Sequence, residues 1–314
     1  MNSEPAPAEP ATPPKSLREK IVREIRETVL TIAIFAPIWL AFTTLAYDER
    51  YIPSESMVPT LQVGDRLAVA KFAYGYDRNS LPFGLGRLLT GNAPDDPGAK
   101  LFARLPIRGD VVVFRHPHEP MVLIKRIVGL PGDTVQMRDG QLYLNGEQVK
   151  RDQTRLTAYR QSDEAHMIVA ATEYRERLPG ETGSHLIHEF SNQSCLDRTP
   201  IFRVPAGHVF LMGDNRDNSE DSRAPSGHRD MAGAFPEAWN CHENLTGSQA
   251  IGFVPVDDLL GRAETVIWTL HSCRREAGLD CPPPRLWRGF HNGEDRGDKG
   301  IATQPTDLTR SGQP

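Results

Sequence analysis

Two hydroxyls one residue apart, Ser54 and Ser56, sit in the run Ile52-Pro53-Ser54-Glu55-Ser56-Met57-Val58-Pro59-Thr60-Leu61. The flanking prolines stiffen that loop. A serine oxygen attacks a carbonyl only when a neighbouring base takes its proton. Histidine is the usual base, and the chain has ten, yet no Gly-x-Ser-x-Gly elbow occurs. His118-Glu119, His188-Glu189 and His242-Glu243 each lack a second histidine four positions on, so the zinc-helix pattern fails as well. Neither a metal nor another cofactor is expected.

A neutral lysine is the other available base. In Val122-Leu123-Ile124-Lys125-Arg126-Ile127-Val128-Gly129 a strand would place Leu123, Lys125 and Ile127 on one face and Ile124, Arg126 and Val128 on the other. Apolar neighbours disfavour the ammonium and lower a lysine pKa, whereas arginine stays protonated. Of the adjacent pair, only Lys125 can serve. Moving its pKa from roughly 10.4 to about 8 costs roughly 3 kcal/mol, which a folded core can carry.

A third polar cluster is Gly213-Asp214-Asn215-Arg216-Asp217-Asn218-Ser219-Glu220-Asp221-Ser222-Arg223. Counted from Asp217 as a calcium loop, it has Ser222 where glycine is needed and His228 where glutamate is needed, so that reading fails. Taken singly, the three segments also suit bland roles: a Ser/Pro loop, a sheet-edge lysine in water and a solvated acidic turn. Their meaning depends on what brings them together.

The elements that must do so start with Thr28 to Tyr47, an uncharged apolar stretch long enough to span ~30 Å of hydrocarbon as a helix. Its long preceding tail argues for an anchor over a cleaved signal. Lys15, Arg18, Lys20, Arg23 and Arg26 precede it and Arg50 follows, which places the N-terminus in the cytoplasm and the rest outside. Residues 1–27 read as a disordered, then amphipathic, cytoplasmic tail. Beyond residue 47 the pattern predicts an antiparallel β domain over 48–270. Its strands are expected at Arg66–Phe72, Asp110–Phe114, Val122–Val128, Thr134–Met137, Gln141–Leu144, His208–Met212 and Ala263–Thr269, with turns at Pro131-Gly132-Asp133 and Asn145-Gly146. Arg151 to Thr199 reads as a polar, irregular inserted cap, and 271–314 as a loose Gly/Pro-rich tail without chemistry. The fold class is therefore mainly β behind one transmembrane helix. A net charge of -5 offers no basic excess for phosphates, so no nucleic-acid partner is expected.

Together, P-S-x-S-M-x-P-T-L, R-G-D-V-V-V-F, I-K-R-I-V-G-L-P-G-D and G-D-N-R-D-N-S-x-D-S-R, in that order behind an anchor, resemble bacterial type I signal peptidase. The likeness covers roughly Val29 to Val135 and Ile201 to Trp268. It implies a membrane-bound serine endopeptidase of the inner membrane that removes signal peptides from secreted preproteins on the periplasmic side. By motif, Ser56 matches the nucleophile and Lys125 the general base. Ser54 matches the hydroxyl that joins the Ser56 N–H at the oxyanion, and Ser219 the hydroxyl that orients the lysine amine. Asp221 with Arg223, and Asp214 with Arg126, look like supporting ion pairs. The block from Gly252 to Ala263 resembles the family's closing strand segment.

Expected partners are preprotein signal peptides, membrane lipid and, by proximity, the secretion translocon. Cleavage should follow small-x-small sites, with Met57 and Leu61 among the residues lining the pockets. The apolar run Leu81 to Leu89 suits either of two places, resting on the lipid surface or buried in the domain core. Glu55 departs from the family motif, which has glycine there, and puts the loop's backbone conformation in question. An exterior location permits disulfides, with Cys273–Cys281 and Cys195–Cys241 the pairings considered. Two alternatives compete: a self-cleaving repressor, which would need a DNA-binding helix pair where the anchor stands, and an anchored, non-enzymatic periplasmic binding scaffold.

Overall fold

The computed structural model describes residues 17–76, 100, 102–161, 167–192, 195–224, 251–270 and 278–289. Helix α1 (Leu17–Leu45) is solvent-exposed along its described side chains, and an 18-residue window within Arg18–Phe42 has a mean hydropathy of 1.6. By length and composition it can cross a membrane. Pro37 lies inside it. Tyr76 Oη donates to Leu45 O at 2.6 Å, satisfying one of the carbonyls that a helix C-terminus leaves open. The helix stops there, two residues short of Tyr47, which already belongs to the first strand.

Among the described residues the strands are β1 (Tyr47–Tyr51), β2 (Asp65–Ala70), β3 (Val111–Arg115), β4 (Val122–Gly129), β5 (Thr134–Arg138), β6 (Gln141–Leu144), β7 (Glu147–Gln148), β8 (Lys150–Arg160), β9 (Ile168–Arg177), β10 (His185–Glu189), β11 (Phe202–Arg203), β12 (His208–Met212), β13 (Val254–Pro255), β14 (Leu259–Thr269) and β15 (Leu286–Gly289). They form three sheets. The largest has the order β1-β2-β14-β3-β4-β12-β13, with β15 added to β14; the others are β11-β5-β6-β7 and β10-β9-β8. All ladders between these strands are antiparallel, so the molecule is mainly β behind one apolar helix.

β-branched residues explain the centre of the large sheet. β3 (VVVFR) is buried from Val111 to Phe114, and β4 is buried from Ile124 onward, as befits strands covered on both faces. Alternation along β4 sends Leu123 and Ile127 into a cluster with Val112, Phe114 and Leu211. Ile124 goes instead to Ile52, Met57, Leu61 and Val113. A third cluster packs Phe202, Phe210 and Phe253 with Val128. Asn145 and Gly146 close the β6–β7 hairpin with φ of 54° and 83°, as the Asn-Gly pair predicts.

Two expectations about texture fail. Residues 151–199, read as irregular, hold the β8-β9-β10 sheet. Alternation was invisible there because Glu173, Glu176, His185, His188 and Glu189 are buried polar groups, occupying places where the pattern seeks apolar ones. Within the tail, residues 278–289 carry β15, which pairs with β14 through Trp268↔Leu286 and Thr265↔Gly289. Leu81 to Leu89, Cys241 and Cys273 lie outside the described residues. Cys281 is disulfide-bonded.

Candidate active site

Ser56 lies in a tight turn after β1. Val58 N donates to Glu55 O at 3.0 Å and Leu61 N to Met57 O at 2.9 Å, so one short coil carries the serine. Met57 and Leu61 are both 0% exposed. They are core anchors of the turn, which corrects their expected place in substrate pockets: the i,i+4 coil turns both side chains into the cluster beneath. Glu55 is not among the positive-φ residues, so its position does not demand glycine.

The opposite partner comes from the middle of β4, where Lys125 faces Val112 in the β3 register. Lys125 Nζ donates to Ser56 Oγ at 2.6 Å, across a sequence separation of 69 residues. Lys125 is 4% exposed and Ser56 9%. Burial drives the lysine pKa down to about 8, although Asp221 and Glu220 pull it up; Arg223 pushes it down further. With the amine neutral, the same short contact runs the other way and the serine O–H donates to nitrogen. Ser54 Oγ is 3.5 Å from Ser56 Oγ, at the outer limit of a hydrogen bond.

The loop after β12 closes the site. Gly213 is required by space: a Cβ there would stand 2.2 Å from Ser219 Oγ and 2.5 Å from the Ser56 carbonyl oxygen. The chain therefore passes directly between these two serines. Asn215 N donates to Ser56 O at 3.1 Å, and Asn215 Nδ2 to Glu55 O at 3.1 Å and Tyr159 Oη at 2.9 Å. Ser219 is buried beside the pair, but its Oγ has no hydrogen-bond partner, so the expected bond to Lys125 is not made here.

Both expected ion pairs are present and buried. Arg126 Nε and Nη2 grip Asp214 at 2.8 and 2.7 Å, while its Nη1 donates to Gly109 O at 2.7 Å. Arg223 Nε and Nη2 grip Asp221 at 2.9 Å each, and Gly213 N donates to Asp221 at 3.0 Å. Each fork fixes a backbone segment as well as a charge.

Several partners escaped sequence reasoning. Asn215 forms a parallel bridge with His188 of β10: His188 N donates to Asp214 O and Arg216 N to His188 O, both at 2.9 Å. Arg216 extends into the cap, where it pairs with Glu176, itself held by His185 at 3.2 Å. No motif spacing signals Glu176 or His185; only the fold joins them to the site. Among the described residues, no group of three or more His, Cys, Asp or Glu is placed to hold a metal.

A buried serine hydroxyl in contact with a lysine amine on a β scaffold, with no histidine bonded to that hydroxyl among the described residues, is an arrangement in which lysine is the available base. The chain matches the family described as signal peptidase, peptidase S26, over residues 25–268, and it belongs to that family. It is a peptidase, and its relatives point the same way. The signal peptidase I of Pseudomonas aeruginosa is 35% identical over 239 residues, 73% of each chain. That of Pseudomonas fluorescens is 39% identical over 213 residues, 66% of this chain and 65% of the other. That of Rickettsia typhi is 31% identical over 256 residues, covering 79% and 82%. A solved signal peptidase I from Enterococcus faecalis V583 is 24% identical, covering 51% of this chain and 97% of that one, at a TM-score of 0.26.

Proposed function

We propose that this chain is a membrane-anchored endopeptidase that removes N-terminal signal peptides from secreted preproteins after small-x-small sites, using Ser56 and Lys125. The observation that carries the reading is the 2.6 Å contact between a buried lysine amine and a serine hydroxyl. Neutral Lys125 takes the Ser56 proton as Oγ bonds to the scissile carbonyl carbon. The oxyanion that forms is held by the Ser56 N–H and the Ser54 hydroxyl. The lysine ammonium then gives its proton to the departing amine, and water, deprotonated by the same lysine, hydrolyses the acyl-enzyme.

The second layer keeps the base usable. Asp221 by itself would favour the charged ammonium, and its fork with Arg223 offsets that field. Asp214 and Arg126 fix the strand and the loop that flank the pair. In this reading Ser219, whose hydroxyl makes no hydrogen bond in the resting structure, holds the amine once the serine proton moves. Helix α1 anchors the enzyme with the β domain on the periplasmic face of the inner membrane, where preproteins, lipid and the translocon meet.

The test is processing of one detergent-solubilised preprotein by the purified full chain. Ser56→Ala, Lys125→Ala and Lys125→Arg are each expected to abolish cleavage with the fold intact, because none leaves a hydroxyl facing a neutral amine. Cleavage surviving any of them sinks the assignment. A preprotein with valine in place of the small residue before the cut should be processed poorly.

A further inference from the structure

Residues 278–289 lie beyond the stretch that matches the family, yet they reach back to the nucleophile turn. Arg285 is the contact. Its Nη1 donates to Thr60 O at 2.7 Å, its Nη2 to Pro59 O at 3.2 Å, and Nη1 stands 3.3 Å from Asp65 Oδ2. The side chain is 8% exposed and Asp65 0%. Main-chain bonds hold the arginine in register: Thr269 N donates to Arg285 O at 3.1 Å, and Arg285 N donates to Thr269 Oγ1 at 3.2 Å. Five residues upstream, Asp280 is tied to the cap, accepting from Thr157 Oγ1 at 2.5 Å and pairing with Arg155 at 2.6 Å. The segment therefore runs as a strap from the cap, past the end of the serine turn, to the edge of β14.

Thr60 is gripped from two sides. Its carbonyl takes Arg285, while its hydroxyl accepts from Arg126 Nη2 at 3.4 Å, the same guanidinium that forks Asp214. Pro59 and Thr60 lie in the same short coil as Ser56, so a shift at their carbonyls moves the serine oxygen relative to Lys125, whose strand is held along its length by pairing with β3. We propose that Arg285 is a positioning residue for the Ser56 hydroxyl, acting through the Pro59 and Thr60 carbonyls. The proposal rests on the Ser56–Lys125 reading above. A misplacement of ~1 Å at a reacting pair can cost on the order of 100-fold in rate, so a loosened turn should reveal itself in kcat.

The experiment measures kcat and KM for the full chain in detergent against one preprotein, for wild type, Arg285→Ala and Arg285→Lys, each corrected for folded fraction by thermal unfolding. Arg285→Ala is expected to lose about tenfold or more in kcat with KM within about twofold, and added guanidinium at tens of millimolar should restore several-fold. Arg285→Lys keeps a cation for Asp65 and a foldable core. Its shorter stem and point-like ammonium lack the planar fork that spans the two carbonyls and Asp65, so its kcat should fall between the other two. The midpoint of the pH–rate profile should stay that of wild type in both, since Arg285 does not touch the amine. Unchanged kcat in both variants, or a loss that guanidinium does not restore, overturns the proposal. Ser56→Ala is the control that separates the two readings. If it still cleaves, the functional assignment falls and takes Arg285 with it; if it is dead while the Arg285 variants cleave normally, only the positioning role falls.

Discussion

At the scale of single residues, Lys125 sets up a conflict between stability and chemistry. Burial lowers its pKa from 10.5 to about 8, against the upward pull of Asp221 and Glu220. The folded chain thus holds this proton less tightly than the unfolded one. Below pH 8 both states are protonated, and the fold carries a penalty of roughly 3 kcal/mol, which is relieved as pH rises from about 8 toward 10.5. Lys125→Met, of similar length and apolar, is accordingly expected to abolish processing and to raise stability at pH 7 by up to roughly 3 kcal/mol, read from denaturant unfolding. A destabilised Lys125→Met protein would contradict this account. The wild-type rate should climb about tenfold per pH unit below pH 7 and level off above about 8, as the amine becomes neutral. A profile with an acid maximum would point to a different base.

At the scale of elements, the cap and the loop after β12 behave as one unit. Glu176 is 0% exposed, and burial alone would raise its pKa, but the Arg216 charge and the His185 hydrogen bond bring it down to about 2. Its contribution to stability is therefore present above the usual carboxylate value and is lost as pH falls toward 2. Glu176→Gln takes from buried Arg216 the carboxylate it pairs with, leaving only the more distant Asp214 and Glu189, and breaking such a pair typically costs about 3–5 kcal/mol. The expected outcome is a lower unfolding midpoint together with slower processing, because Arg216 Nε also donates to Gly213 O at 3.2 Å, beside Ser56. A variant that unfolds and cleaves like wild type would detach the cap from the site. Strands β9 and β10 escaped the sequence reading for the same reason: their inward groups include ion-paired Glu173, Glu176 and His185, and alternation cannot distinguish a paired glutamate from a solvated one. β3 and β4, built from buried aliphatic residues, were legible.

At the scale of the whole molecule, one apolar helix joins a β domain through Tyr47, whose ring lies 5.7 Å from both Phe42 and Phe72. In the proposed orientation, Lys15, Arg18, Lys20, Arg23 and Arg26 keep the N-terminal side of the apolar stretch in the cytoplasm. Alkaline carbonate should leave the protein in the membrane pellet. Protease added to spheroplasts should digest the β domain while sparing an N-terminal cytoplasmic tag, and the reverse pattern would refute the topology.

The amino-acid order alone determined the apolar span, the aliphatic strands, the proline-flanked serine loop and which of two adjacent cations can become a neutral amine, because hydrophobic run length, two-residue alternation and side-chain basicity are local properties. Only the tertiary structure decided that the lysine and serine touch, that Ser219 is left unbonded, that Met57 and Leu61 are core, and that Arg285 and Glu176 reach the site at all. Those facts depend on contacts between residues 40 to more than 200 positions apart. Local patterns record which surface a side chain prefers, but not which distant partner closes over it.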